Sequence, residues 1–158
     1  MIKQVLFLFS LTLLFSCSVF NKGKKNDQLS YIPKAFQSTY LGMPLAKFKE
    51  VSKNATLSSD EDFRTVYQEE FTEGDIKKAV YYFGKKGDLP LYEYIFDYYS
   101  KEKRDEFVAA NLGDPNNGEE WLIESNKGFK IKAWTFKNKL VVTGLIKDTE
   151  WYEDENKD

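Results

Sequence analysis

The run IKKAVYYFGKKGDLPLYEYIFDYY, residues 76–99, decides how this chain is read. Two stretches rich in Val, Ile, Tyr and Phe, at 76–83 and 91–99, flank Gly84-Lys85-Lys86-Gly87-Asp88. β-branched and aromatic side chains suit a pleated, half-buried surface, and a Gly/Asp cluster marks the turn between two such runs. The run therefore predicts an antiparallel hairpin. One step outward, FRTVYQEEF (63–71) ends at Thr72-Glu73-Gly74-Asp75 and supplies a third strand. Before it, TYLGMPLAKFKEVSKNATL (39–57) carries Pro44 where a missing N–H costs a helix nothing. Leu45, Phe48, Val51 and Ala55 follow at helical spacing, predicting a helix over 44–55, with SSDED (58–62) as a loop.

Beyond residue 99 the pattern begins again. Ser100 is placed to cap KEKRDEFVAANL (101–112), with Phe107, Val108, Asn111 and Leu112 on one face. LGDPNNG (112–118) breaks that helix, and EEWLIES (119–125), FKIKAWTF (129–136) and KLVVTGLI (139–146) read as three further strands. Laying YYFGKK (81–86) over WTFKNK (134–139) sets Phe83 against Phe136 and Lys86 against Lys139. The expected fold class is α+β. Two αβββ repeats, 38–99 and 100–148, would form one antiparallel sheet of about six strands, with two short helices on one face. Phe48 and Phe107 would then be equivalent core anchors, and 149–158 an acidic tail.

The N-terminus speaks about location. Met-Ile-Lys precedes an apolar run from Val5 to Phe15, which reaches Ser16 and Cys17, the single cysteine of the chain. A basic start, an apolar core and a small residue at the boundary make a secretory signal, and the run is well short of the roughly 20 apolar residues that span a bilayer. Leu14-Phe15-Ser16-Cys17 resembles a bacterial lipobox, with Phe15 where a smaller residue is usual. The resemblance implies cleavage after residue 16 and a lipid on Cys17, which also accounts for an otherwise partnerless thiol in an exported chain. More than one acyl chain gives stable anchoring, at about 0.8 kcal/mol per buried methylene. Residues 17–37, rich in Lys, Asn, Gly and Ser, read as a tether. The expectation is a lipid-anchored protein of the bacterial cell envelope, attached to the membrane by its N-terminal lipid. Ser18, standing where some lipoproteins carry a retaining Asp, favours the outer membrane.

Two pieces of the chain carry a further resemblance. LGMPLAKFKEVSKNA (41–55) resembles the opening of the SmpA/OmlA (BamE-like) lipoprotein module, where a Gly-Met pair precedes the helix. LGDPN, then EEWLIESNKGFKIKAWTFKNKLVV (119–142), resembles its later part, a Leu-Gly-x-Pro followed by a hairpin bearing Trp and Phe. Tandem αβββ halves are also similar to the β-lactamase-inhibitor protein architecture, which offers a concave aromatic sheet to its target. These resemblances imply a binding module and not an enzyme.

The residue inventory points the same way. The chain has no histidine, which excludes Ser-His-Asp and Cys-His mechanisms and the usual zinc sites. Loss of residues 1–16 removes Lys3 and no acid, taking the net charge from −2 to −3. Nucleic acid, which wants a basic face, is not an expected partner. Ser100-x-x-Lys103 lacks the companion motifs of penicillin-binding enzymes and serves as a helix cap. Asp114-Pro115-Asn116-Asn117-Gly118 brings its Gly one residue too early for a calcium loop and has Ser125 at the twelfth position. Asp60, Glu61, Asp62, Glu69 and Glu70 read as a solvated face. No catalytic residue, metal or cofactor is expected.

That leaves the aromatic stripe. Alternation puts Tyr92, Tyr94, Phe96 and Tyr98 on one side of their strand, opposite Leu91, Glu93, Ile95, Asp97 and Tyr99. Two helices cover one face of such a sheet, so the stripe is either the core or an open face. A phenol or indole tolerates partial exposure and anchors interfaces. The candidate binding residues are therefore Tyr92, Tyr94, Tyr98 and Trp134, expected to meet an envelope protein. Inhibition of a secreted enzyme through an exposed loop, and carriage of a small apolar ligand, are the alternatives.

Overall fold

The structure is a computed structural model that describes residues 30–155, so the expected signal segment, the greater part of the expected tether and Cys17 lie outside the described residues. A short 3-10 turn (Lys34–Phe36) leads to α1 (Leu45–Val51), β1 (Thr56–Asp60), β2 (Arg64–Glu70), β3 (Ile76–Gly84) and β4 (Leu91–Tyr98). Then come α2 (Lys101–Asn111), β5 (Trp121–Glu124), β6 (Lys130–Phe136), β7 (Lys139–Gly144) and α3 (Glu150–Glu155). The protein is α+β, with one seven-stranded antiparallel sheet in the order β1-β2-β3-β4-β7-β6-β5. Six of those strands are the predicted ones. Ser100 caps α2 as expected, its Oγ accepting from the Lys103 N–H.

The order explains how two similar halves make one sheet. β4 and β7, the last strands of each half, lie side by side and antiparallel, with Ile95 opposite Val141. The remaining strands of each half extend outward from that seam. Such an arrangement has an approximate two-fold axis normal to the sheet, and an axis of that kind keeps α1 and α2 on the same face. Phe48 of α1 packs on Tyr81, and Phe107 of α2 on Tyr98. Tyr81 is cross-strand partner to Tyr94, whose ring stacks on Phe96 two residues on, so all these contacts fall on one side.

Three expectations are corrected. β1 begins directly after the span predicted as helix and takes in part of the predicted loop: α1 ends earlier than expected, at Val51, and Thr56–Asp60 pairs with β2. β1 is an edge strand whose residues are nearly all exposed, so no apolar alternation betrays it. The end of the segment read as a tether, 17–37, belongs to the fold. Tyr31, Ile32 and Phe36 are buried, Phe36 lying 5.0 Å from the Phe96 ring, and the Tyr94 hydroxyl donates to Thr39 Oγ1 at 2.9 Å. This irregular segment crosses the sheet on the helix-bearing face, where its few large side chains complete the core without a period. Phe48 and Phe107 are also unequal. Phe48 is fully buried, whereas Phe107 is half-buried and α2 buries Arg104 and Val108 instead.

Candidate binding face

The stripe predicted from alternation is broken by a β-bulge. Phe83 pairs with Leu91 and Tyr82 with Glu93, leaving Tyr92 as the extra residue. A bulge puts two residues of one strand against one of its neighbour and re-aims a side chain. Tyr94, Phe96 and Tyr98 point beneath the helices, all at most 2% exposed. Tyr92 is thrown to the other face, beside Tyr82, with ring centroids 6.3 Å apart. There it is buried too. Of the four candidate residues, Trp134 alone is half-exposed on the helix-free face, and the open tyrosine surface expected from the sequence is not formed.

The helix-free face has a different composition. Strand register places Gln68, Val80, Ile95, Val141 and Trp134 in one row across five strands. Val80, Ile95 and Trp134 are half-buried, and Val141 is buried among them. The next row reads Lys78, Asp97, Lys139 and Phe136, the phenylalanine 59% exposed. Asp97 is held by Lys77 at 3.4 Å and by the Asn138 amide. An apolar strip with an exposed Phe at one end and paired charges along one side is the result.

α3 packs on the other end of this face. Its approach depends on Gly84 at the end of β3, where an added Cβ would meet Thr149 Cγ2 at 3.2 Å. Thr149 Oγ1 donates to the Ile146 carbonyl at 2.6 Å, fixing the turn that leads into the helix. The Trp151 indole Nε1–H then donates to the Glu93 carboxylate, and the Trp151 ring meets Trp134 edge-on with centroids 5.0 Å apart. Glu150 accepts from the Tyr92 hydroxyl at 3.0 Å and from Arg64 Nη1 at 3.3 Å. Arg64 is also paired to Glu61 at 3.1 Å and lies 5.1 Å from the Tyr82 ring. Glu93 itself is 6% exposed. Burial pushes its pKa up to about 7, opposed by the Trp151 donor, reinforced by Glu150 and opposed again by Arg64.

Residues 149–158, expected as an acidic tail, thus contain a helix that docks through Trp151. Nothing in the composition of TEWYEDE separates such a helix from a solvated tail, because one indole makes the main contact. Ile95 and Glu93 were legible by alternation as sharing a side, whereas Tyr92 reaches that face through the bulge and Glu93 meets Trp151 only because α3 docks. Away from this face, an open groove of about 590 Å³ lies between the end of α2 and β5, walled by Leu112, Trp121 and Ile123 with Asp114 and Glu124 at its rim. Asn116 covers the neighbouring sheet edge, its side-chain amide bonding both the N–H and the carbonyl of Leu122. Among the described residues no group of His, Cys, Asp or Glu is arranged to hold a metal, and no helix is long and apolar enough to cross a membrane. Comparison with protein-family models, curated proteins and solved structures gives no match to this chain.

Proposed function

We propose that this chain is a lipid-anchored module of the bacterial envelope that binds a partner protein through the helix-free face of its sheet. The observation that carries the reading is the row Val80, Ile95, Val141 and Trp134, continued by Phe136. Single exposed apolar residues are ordinary, but a contiguous apolar strip with a polar border is what protein interfaces offer. An aromatic pair at one end, Trp134 and Phe136, supplies the side chains that most often anchor such contacts. The lipobox-like Cys17 and the resemblance to the SmpA/OmlA module support placement at the envelope, the outer membrane being favoured. The chain enters the fold on the opposite, helix-bearing face, so a tether from the membrane leaves this strip free.

The test is comparative cross-linking in detergent-solubilised envelope. Ile95→Asp with Phe136→Asp should abolish a cross-linked partner that survives a control substitution on the helix side, Lys49→Asp. Equal cross-linking by both variants would sink the reading. A second reading, carriage of a small apolar ligand, draws on the groove beside β5, whose volume lies in the range of small-molecule sites. Recovery of a bound apolar ligand that is lost in Ile123→Asp would support it.

A further inference from the structure

We infer that α3 is a pH-sensitive cover over the Glu93 end of the helix-free face, seated in acid and released as the pH rises. The inference rests on the reading of that face as the partner surface, since release would lengthen the strip. Seated, Trp151 lies against Trp134 and over Glu93; lifted, it leaves both open beside Val141 and Ile95. The cover is small, six residues attached through a single turn at 146–149. Its attachments include one indole, one indole–carboxylate hydrogen bond and the Glu150 pair to Tyr92 and Arg64. So short a helix has little stability of its own and depends on such contacts.

The groups around the Glu93 carboxylate decide the direction. From its own strand comes Tyr92, from β3 Tyr82, from β2 Arg64 with its partner Glu61, from β7 the neutral Thr143, and from α3 Glu150 and Trp151. Lys132 of β6, farther along the same row, is engaged by Glu120 at 3.1 Å. Arg64 is thus the one cation directed at the cluster among these groups, and Glu61 and Glu150 share it. Seating α3 therefore takes the Glu93 carboxyl out of water without giving it a cation of its own. Burial raises its pKa from 4.5 to about 7, and lifting α3 returns the group toward the ordinary value. A form that binds a proton more tightly is favoured by acid. Between roughly pH 4.5 and pH 7 the seated form is progressively lost as the proton leaves. Trp151 and Glu150 depart together; the first lowers the Glu93 pKa and the second raises it, and burial, the largest influence, sets the direction.

The signal to follow is the Trp151 indole N–H in ¹⁵N NMR of the lipid-free full-length domain, assigned by its loss in Trp151→Phe. Its protection from solvent exchange, corrected for the intrinsic pH dependence of exchange, should fall by on the order of tenfold to thirtyfold between pH 5.5 and pH 8. In Glu93→Gln, a neutral isostere that still accepts from the indole, protection should be high and the same at both values. Should that variant fail to fold, acrylamide quenching of wild-type and Trp151→Phe protein gives the second reading. Wild-type quenching should rise with pH, while Trp151→Phe should already be quenched to the high-pH level at pH 5.5. Protection that ignores pH in the wild type, or a pH response that persists in Glu93→Gln, overturns the cover. The measurement uses no partner, so its failure leaves the cross-linking test of the face untouched, and a face that binds nothing removes what the cover would guard while leaving the exchange result as measured.

Discussion

The ring of Phe48 lies 4.7 Å from that of Tyr81 and 4.9 Å from that of Phe83, which places α1 over the strongest part of the core. Its counterpart in the second half, Phe107, meets Tyr98 at 6.2 Å and keeps one side toward water. The two helices therefore hold the sheet by different means, α1 by a buried aromatic and α2 partly by Arg104, which donates to the Lys137 carbonyl.

From this follows an asymmetry in stability. Phe48→Ala should cost about 3–5 kcal/mol, because the aromatic cage around it is too large to collapse onto the gap. Phe107→Ala should cost only about 1–2 kcal/mol, since part of its surface is already in water. Urea unfolding of the two variants measures the difference, and equal losses would show that Phe107 anchors α2 more strongly than its burial implies.

The entry segment gives a second expectation. A chain beginning at residue 38 loses Tyr31, Ile32 and Phe36 from the core, together with the ring contacts of Phe36 to Phe71 and Phe96. It should be destabilised by several kcal/mol or fail to fold, whereas a chain beginning at residue 30 should unfold at the temperature of the longer one. Thermal denaturation of the two truncations decides it.

Global stability should carry the mark of Glu93. Its folded pKa is raised above 4.5 to about 7, so its favourable contribution is complete below pH 4.5 and is lost as the pH rises through 7. Glu93→Gln should accordingly melt at a higher temperature than wild type at pH 8 and close to it at pH 5. A wild-type advantage at pH 8 would mean that the ionised carboxylate is better solvated than its burial indicates.

Cys17 carries the anchor in the proposed function. Cys17→Ser should incorporate no lipid and appear as uncleaved precursor or soluble protein, while the wild-type chain from membranes should show an acylated N-terminal cysteine by mass spectrometry. An unmodified Cys17 thiol in that chain would remove the envelope anchor from the proposal.

Much of the fold was legible because its signals are local. Hairpins announced themselves at Gly84–Asp88 and Lys137-Asn138, where turn residues separate β-rich runs, and α2 by Ser100 and its apolar spacing. The candidate site was less so. Alternation divides a strand into two sides but does not say which side a helix will cover, and its count holds only while the ladder is regular. At Tyr92 one extra residue shifts the count, so Tyr92 and Tyr94, two apart in the sequence, end on opposite faces of the sheet.

By itself, then, the sequence determined the class of fold, six of the seven strands and the position of the two longer helices, since each depends on the conformational preferences of a few consecutive residues. Only the tertiary structure decided that Tyr94 and Tyr98 belong to the core, that Tyr31, Ile32 and Phe36 belong there with them, and that Trp151 returns to Glu93. These outcomes join residues far apart in the chain. Their stability comes from packing one surface against another, and no local period records which surfaces will meet.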